Sequence, residues 1–547
     1  MKVFRILAVA LLLSMWTLVS TAQIQLAVKN YCLPILADQE INVVKRFQID
    51  SKTKSVLSKG EIVLELDKRA SEVIEEIGVW YTADDSTLLK QNNVKNYTAL
   101  RKVKAESGKN SLSFHTKLGK GTNFLWITVK VRPIKHMELP FMLEIEKFQI
   151  DKQQLTNIDS IRSSVHRLGV AVRRHKQEGV HTSRIPGILT AKDGSLISVY
   201  DARYESGRDL QGHMDIGVSR SEDKGNTWLP IEIAIDMGEY GGLPQKFNGV
   251  SDPNILLDEK TGDIYVAGLW MHGVIDETGT WYPGKKNDKE IWNHQWKTKG
   301  SQPGFDIKQT SQFLMVKSQD NGKTWSQPVN LTTMCKREEW WLWAPAPGSG
   351  FTMKDGTLVM PTQGRDKTGK AFSNITYSND QGKTWTTSNP ALPRSTTECM
   401  AVELEDGHIM LNMRSNFNAT NKGPDNGRAI ATTVDMGKTW IEHPTSHSAL
   451  IEPTCMASIH KHHYTENGTS KSIIVFCNPD SKYDRVNITL KVSKDNADTW
   501  ERKLLLDEGK GRGYSCITSV DEHTVGVLYE SSQADLVFQR IALKDLL

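Results

Sequence analysis

Ser318-Gln319-Asp320-Asn321-Gly322-Lys323-Thr324-Trp325 decides the fold, because the chain repeats it. SEDKGNTW stands at Ser221–Trp228 and SNDQGKTW at Ser378–Trp385. Two looser copies follow, TVDMGKTW at Thr433–Trp440 and SKDNADTW at Ser493–Trp500. The shared pattern is S-x-D-x-G-x-T-W. An Asp bonds nearby backbone N–H groups and a Gly tolerates positive φ, so the pair suits a tight hairpin turn. Thr-Trp then opens a strand, with the indole free to pack on a sheet. Thr433 replaces Ser and Ala497 replaces Gly in the looser copies, and both changes are expected to weaken the turn.

The closing tryptophans, Trp228, Trp325, Trp385, Trp440 and Trp500, fall 97, 60, 55 and 60 residues apart. A four-stranded propeller blade needs about 40–50 residues. The long first step holds a blade plus an insertion, or a blade that lacks the turn. Residues 165–547 therefore suit a six-bladed β-propeller. Residues 23–150 lack the turn. Alternating runs there, such as Glu61–Leu66 and Asn123–Val129, read as strands of a smaller β-sandwich, a possible carbohydrate-binding domain. The polar stretch 151–164 links the two.

The first 22 residues read as a signal peptide, with Lys2 and Arg5 ahead of the apolar run Ile6–Val19 and small residues Ser20-Thr21-Ala22. A membrane anchor is the alternative, but the run is shorter than the roughly 20 apolar residues a span needs. An exported protein, periplasmic or extracellular, with no membrane span in the mature chain, is expected. A net charge of +4 over 547 residues gives no case for nucleic-acid binding. The six cysteines form no C-x-x-C pattern, and export would permit disulfides without choosing among pairings. No metal-ligand pattern is evident, so neither a metal nor another cofactor is expected.

Short ordered motifs run through 184–530. They are Arg184-Ile185-Pro186, Tyr200-Asp201-Ala202-Arg203 with Asp209 six residues on, Ser251-Asp252-Pro253, Thr397-Glu398-Cys399, Leu411-Asn412-Met413-Arg414, Arg485, Gly513-Tyr514-Ser515 and Leu528-Tyr529-Glu530. Together with the repeated turns, which look like Asp boxes, they resemble the bacterial exo-sialidase (neuraminidase) family. Asp boxes also occur in other propellers, so the function rests on the site.

The resemblance implies that Arg184, Arg414 and Arg485 clamp the carboxylate of a sialic acid. Arginine suits this because its planar fork pairs with a carboxylate in bidentate fashion. It implies Asp209 as general acid/base, with Asp201 and Asp215 as nearby rivals. Tyr514 would be the nucleophile and Glu398 its partner base, with Glu403 as rival. Arg203 and Asp252 would contact the O4 region of the sugar, and Glu530 would orient Arg184. Tyrosine replaces the usual carboxylate nucleophile because an anion would be repelled by the carboxylate on the anomeric carbon.

Sialylated glycans and glycoproteins are the implied substrates. A non-catalytic glycan-binding propeller, a sialidase-fold transferase, an anhydro-sugar-releasing enzyme and a hydrolase of neutral glycans are the competing readings. The insertion Ile275–Asp306, with Trp281, Trp292 and Trp296, and the nearby Trp340, Trp341 and Trp343 would either line a substrate rim or pack between blades.

Overall fold

The computed structural model describes residues 24–55, 57–154, 163–210, 212–242, 244–273, 294 and 301–547. The leader, most of the 151–164 stretch and Trp281, Trp292 and Trp296 lie outside the described residues. The chain forms two compact units. The smaller takes in residues up to Tyr31, Glu40–Lys130 and Met142–Ser164, and the larger Cys32–Gln39, Val131–Phe141 and Val165–Leu547.

The smaller unit is a β-sandwich. One sheet runs in the order Ile24–Asn30, Asn42–Ser51, Gly121–Val131, Ile74–Tyr81, Thr98–Lys104. The other carries Gln153–Gln154, Phe141–Ile150, Ser58–Leu66 and Gly108–Thr116 in that order. Strict alternation in Ser58–Leu66 buries Ile62, Leu64 and Leu66 on one face. The sheets meet where Phe47 of the first packs on Phe148 of the second, ring centroids 4.1 Å apart.

The larger unit is a six-bladed propeller, each blade a four-stranded antiparallel meander. Thr182–Thr190, Leu196–Arg203, Met214–Ser221 and Glu232–Ile235 form the first, counted outward from the centre. The inner strands of the next four are Asn248–Leu257, Leu342–Pro345, Thr396–Glu403 and Ser458–Glu466. The sixth has Ser515–Asp521, Thr524–Tyr529 and Leu536–Ala542, and its fourth strand is Leu168–Arg173, from the start of the unit. Thr190 Oγ1 also donates to Ser519 O at 2.7 Å, joining the inner strands of the first and last blades.

Each Asp box joins the third and fourth strands of blades one to five. The sixth blade has no such hairpin, because its fourth strand comes from elsewhere. That is why six blades carry five boxes. The 97-residue step is an insertion within the second blade, between Ile264–His272 and Gln312–Ser318.

All five boxes share one hydrogen-bond pattern. The Gly382 N–H donates to Ser378 Oγ at 2.9 Å, and Thr384 Oγ1 donates to Asp380 Oδ2 at 2.6 Å. The expected weakening of the looser boxes does not show in these bonds. Thr433 Oγ1 accepts the Gly437 N–H at 2.9 Å, and Ser493 Oγ accepts the Ala497 N–H at 2.9 Å. Ala497 does hold φ at 72°, a conformation that glycine adopts more cheaply. All six cysteines are free.

Candidate active site

Antiparallel order dictates where a site can form. The boxes and the hairpins after each inner strand lie at one end of the propeller. The start of each inner strand and the loop between its second and third strands lie at the other. Arg184, Asp252 and Glu398 sit on inner strands, and Tyr514 just precedes one. Asp209 and Arg485 lie on second-to-third-strand loops, Arg414 ends a second strand, and Glu530 follows one.

Three inner strands are broken where they carry site residues. Register shifts fall between Arg184 and Gly187, between Ser251 and Asn254, and between Thr396 and Cys399. Such bulges re-aim a side chain out of the ladder. Two involve left-handed backbone just before a proline: Ile185 at φ 61° before Pro186, and Asp252 at φ 58° before Pro253. A β-branched residue in that region is strained, and strain of this kind gathers at functional sites.

These residues open on a cavity of about 550 Å³, lined by Arg184, Asp209, Asp252, Glu398, Arg414, Arg485 and Tyr514 among others. One wall is apolar, built from Leu210, Leu269, Met271, Leu342 and Ala344.

Tyr514 stands at the centre of the arginines. Its hydroxyl donates a short hydrogen bond to Glu398 Oε1. Arg414 Nη1 donates to Glu398 Oε2 at 2.6 Å and to the Tyr514 hydroxyl at 3.1 Å. The guanidinium carbons of Arg184 and Arg485 lie 5.3 and 5.4 Å from the Tyr514 ring centroid. Burial, with the Glu398 charge beside it, pushes the phenol well above its ordinary pKa, against the pull of Arg414 and Arg485. Tyr514 is therefore a neutral phenol already hydrogen-bonded to an acceptor.

Arg184 is held from behind. Its Nε donates to Glu530 Oε1 at 2.9 Å and its Nη1 to Asp209 Oδ1 at 3.0 Å. Burial works against the Glu530 charge, but Arg184 and the N–H groups of Ile185 and Tyr514 outweigh it and keep that carboxyl below its ordinary range. Arg485 Nη1 donates to Arg512 O at 2.8 Å and Nη2 to Thr454 O at 3.3 Å.

Asp209 has a 62% exposed side chain. Burial raises its pKa, but Arg203 and Arg184 prevail and hold it below the usual carboxylate range. The Asp201 carboxylate is buried and takes Arg203 at 2.8 Å and Ser251 Oγ at 2.8 Å. Asp215 pairs with His213 at 3.4 Å. Neither Asp201 nor Asp215 lines the cavity. Glu403 also lies off it, accepting the Lys354 N–H at 2.9 Å.

Arg203 is 1% exposed and does not front the cavity. It binds Asp201, Gly207 O and Asp209 instead. Asp252 does front it. Burial, then Asp201 and Glu398, drive its pKa well above the ordinary value. Trp340 and Trp343 are packing residues: Trp343 stacks on Phe313 at 4.1 Å and Trp340 meets Phe372 at 4.6 Å.

A fully buried ion pair that the sequence did not reveal lies behind Arg414 and Arg485. Arg428 Nη1 meets Glu452 Oε2 at 2.6 Å, and Glu452 Oε1 accepts the Ser415 N–H at 2.8 Å, next to Arg414. Arg428 Nη1 also donates to Cys455 O at 2.7 Å, next to Thr454. The pair thus braces the segments behind two of the arginines.

Fold and cavity define the class, an Asp-box β-propeller with a cationic pocket at its centre. Comparison with known proteins gives the family. Residues 185–521 match the BNR repeat-like domain, and residues 23–154 match the N-terminal domain of BNR-repeat neuraminidase. The chain is 36% identical to a sialidase of Bacteroides fragilis over 546 residues, 95% of each chain. It is 29% identical to a sialidase of Paraclostridium sordellii over 64% of this chain and 81% of that one. The solved Hadza microbial sialidase Hz136 superposes with a TM-score of 0.83 at 34% identity, covering 95% of this chain and all of the other. The chain belongs to the sialidase family: it is a glycoside hydrolase, an exo-α-sialidase.

Proposed function

We propose that this sialidase removes terminal α-linked sialic acids from glycans and glycoproteins, with retention of configuration, through a tyrosyl-enzyme intermediate. The observation that carries the reading is the Tyr514 hydroxyl donating to Glu398 among Arg184, Arg414 and Arg485.

The three arginines hold the substrate carboxylate, and the apolar wall beside them suits an acyl methyl group. The Tyr514 oxygen attacks the anomeric carbon while its proton passes to Glu398. Asp209 gives its proton to the departing glycosidic oxygen. In the second half Asp209 takes a proton from water, the water oxygen attacks the same carbon, and Glu398 returns the proton to the phenol. Two inversions at one carbon give net retention.

Asp209 must enter protonated, although Arg203 and Arg184 favour its charged form in the free enzyme. A bound carboxylate engages Arg184 and brings negative charge close, and both effects raise the Asp209 pKa.

Lys2, Arg5 and the apolar run after them support export, to the periplasm or beyond. Among the described residues no helix is long and apolar enough to cross a membrane. Proton NMR of the first product from sialyllactose tests the reading. The α-anomer of free sialic acid, appearing before mutarotation, supports it. The β-anomer or an anhydro sugar as first product refutes it.

A further inference from the structure

We propose that Arg512 is a positioning residue, holding the loop that carries Asp209 in register with the nucleophile on Tyr514. The inference rests on the reading of Asp209 as general acid.

Asp209 stands on the segment between the strands Leu196–Arg203 and Met214–Ser221. The stem of that segment is closed. The Tyr204 N–H donates to His213 O at 3.3 Å, and the two rings stack at 4.1 Å. Beyond the stem the described residues form no strand or helix, and the Asp209 side chain is largely exposed. A general acid on such a loop has to be anchored, since small misplacements of a reacting group cost large factors in rate.

The anchor is the carbonyl of Gly207. It accepts Arg203 Nη1 at 3.1 Å from its own blade and Arg512 Nη1 at 2.9 Å from the last blade. The same Arg203 nitrogen reaches Asp209 Oδ1 at 2.9 Å. Arg512 stands two residues before Tyr514, and its own carbonyl accepts Arg485 Nη1 at 2.8 Å. One residue therefore ties three parts together: the nucleophile through the chain, the clamp through its carbonyl, the acid loop through its guanidinium.

The approach is close enough that a side chain on Gly207 would push the Arg512 guanidinium off the carbonyl. A Cβ on Gly207 would lie 2.6 Å from Arg512 Nη2 and 3.2 Å from Thr182 Oγ1. Arg512 also sits close to the Arg184 and Arg203 cations, and the Gly207 carbonyl holds its guanidinium there.

The test compares first-turnover rates on sialyllactose and on an activated aryl sialoside for Arg512→Ala, Gly207→Ala, the double variant and Asp209→Ala. A displaced acid hurts only the substrate whose leaving group needs a proton. Arg512→Ala and Gly207→Ala should each lose about 10- to 100-fold on sialyllactose and about 3-fold or less on the aryl substrate. The double variant should be no worse than the poorer single one, because both break the same contact. Thermal unfolding of Arg512→Ala should match wild type, since its side chain lies at the surface. Equal losses on both substrates, a change in KM alone, or additive losses in the double variant would overturn the proposal. If Asp209→Ala itself shows no preference between substrates, the acid assignment falls, and this inference with it. If Asp209→Ala shows the preference and Arg512→Ala does not, only the inference falls.

Discussion

The Glu530 carboxylate takes Arg184 Nε on one oxygen at 2.9 Å and the Tyr514 backbone N–H on the other at 3.1 Å. One buried group thus sets the direction of Arg184 and the start of the strand behind Tyr514.

Replacing that carboxylate should damage stability and binding together. Glu530→Gln keeps the shape but leaves Arg184 without its buried counter-charge and turns an amide toward a donor. Breaking a buried pair costs about 3–5 kcal/mol. Denaturant titration should show a drop of that order, and kinetics on the folded fraction should show a raised KM for sialosides. Wild-type stability and KM would mean that Glu530 does not orient Arg184.

The proposed carboxylate clamp has a separate signature. Arg414→Ala or Arg485→Ala should each lose about 1.5–3 kcal/mol of transition-state binding, roughly 10- to 150-fold in kcat/KM. Lysine at either position should rescue little, because an ammonium cannot reproduce the fork. A folded alanine variant with near-normal turnover would remove that residue from the clamp.

Asp209→Ala should separate substrates by leaving group. An alkoxide departing from sialyllactose needs a proton and an activated phenolate hardly does. The loss in the glycosylating step should reach about 10²- to 10⁴-fold on the first and stay small on the second. Hydrolysis of the intermediate still needs a base, so a burst should appear with the aryl substrate in pre-steady-state kinetics. Equal losses on both substrates would redirect attention to Asp201 or Asp215.

The Asp boxes should make the propeller sensitive to acid. Burial raises the Asp320 pKa, but hydrogen bonds from Thr324, Ser318 and Lys323 outweigh it, and bonds from Thr384 and Thr439 do the same for Asp380 and Asp435; all three carboxyls are held at about 2, below the ordinary 3.8. Their folded-state values lie below the unfolded ones, so below pH about 4 the unfolded chain binds more protons and stability falls. The stabilisation is complete above pH about 4 and is lost as pH drops toward 2. Thermal unfolding across that window should show the decline, and Asp380→Asn should make it shallower. An identical slope in the variant would show that the box carboxylate does not carry the effect.

Much of this was legible in the sequence, for reasons that are local. The five turns are set by eight-residue patterns whose hydrogen bonds close within the pattern, as between Ser378 and Gly382. Tyr514, Glu398, Arg184 and Arg414 could be singled out because each lies in a short motif, and the structure brings them to one cavity with Arg485. What stayed hidden depends on distant partners. The fourth strand of the sixth blade is Leu168–Arg173, far from Leu536–Ala542 in the chain. Arg512 meets Gly207 across 305 residues. Arg428 and Glu452 look like surface charges until the fold buries both. The partners of Arg203, which are Asp201, Gly207 and Asp209, are likewise not visible in its motif. The left-handed backbone at Ile185 and Asp252 is not legible in the sequence, because a residue before proline ordinarily reads as extended.

The most direct test of the central claim is to trap the enzyme with a fluorinated sialosyl donor, digest it and map the labelled peptide by mass spectrometry. The expected adduct is on Tyr514, with wild-type protein labelled in full and Tyr514→Phe unlabelled yet folded. An adduct on Glu398 or Asp209, or equal labelling of the Tyr514→Phe protein, would contradict it.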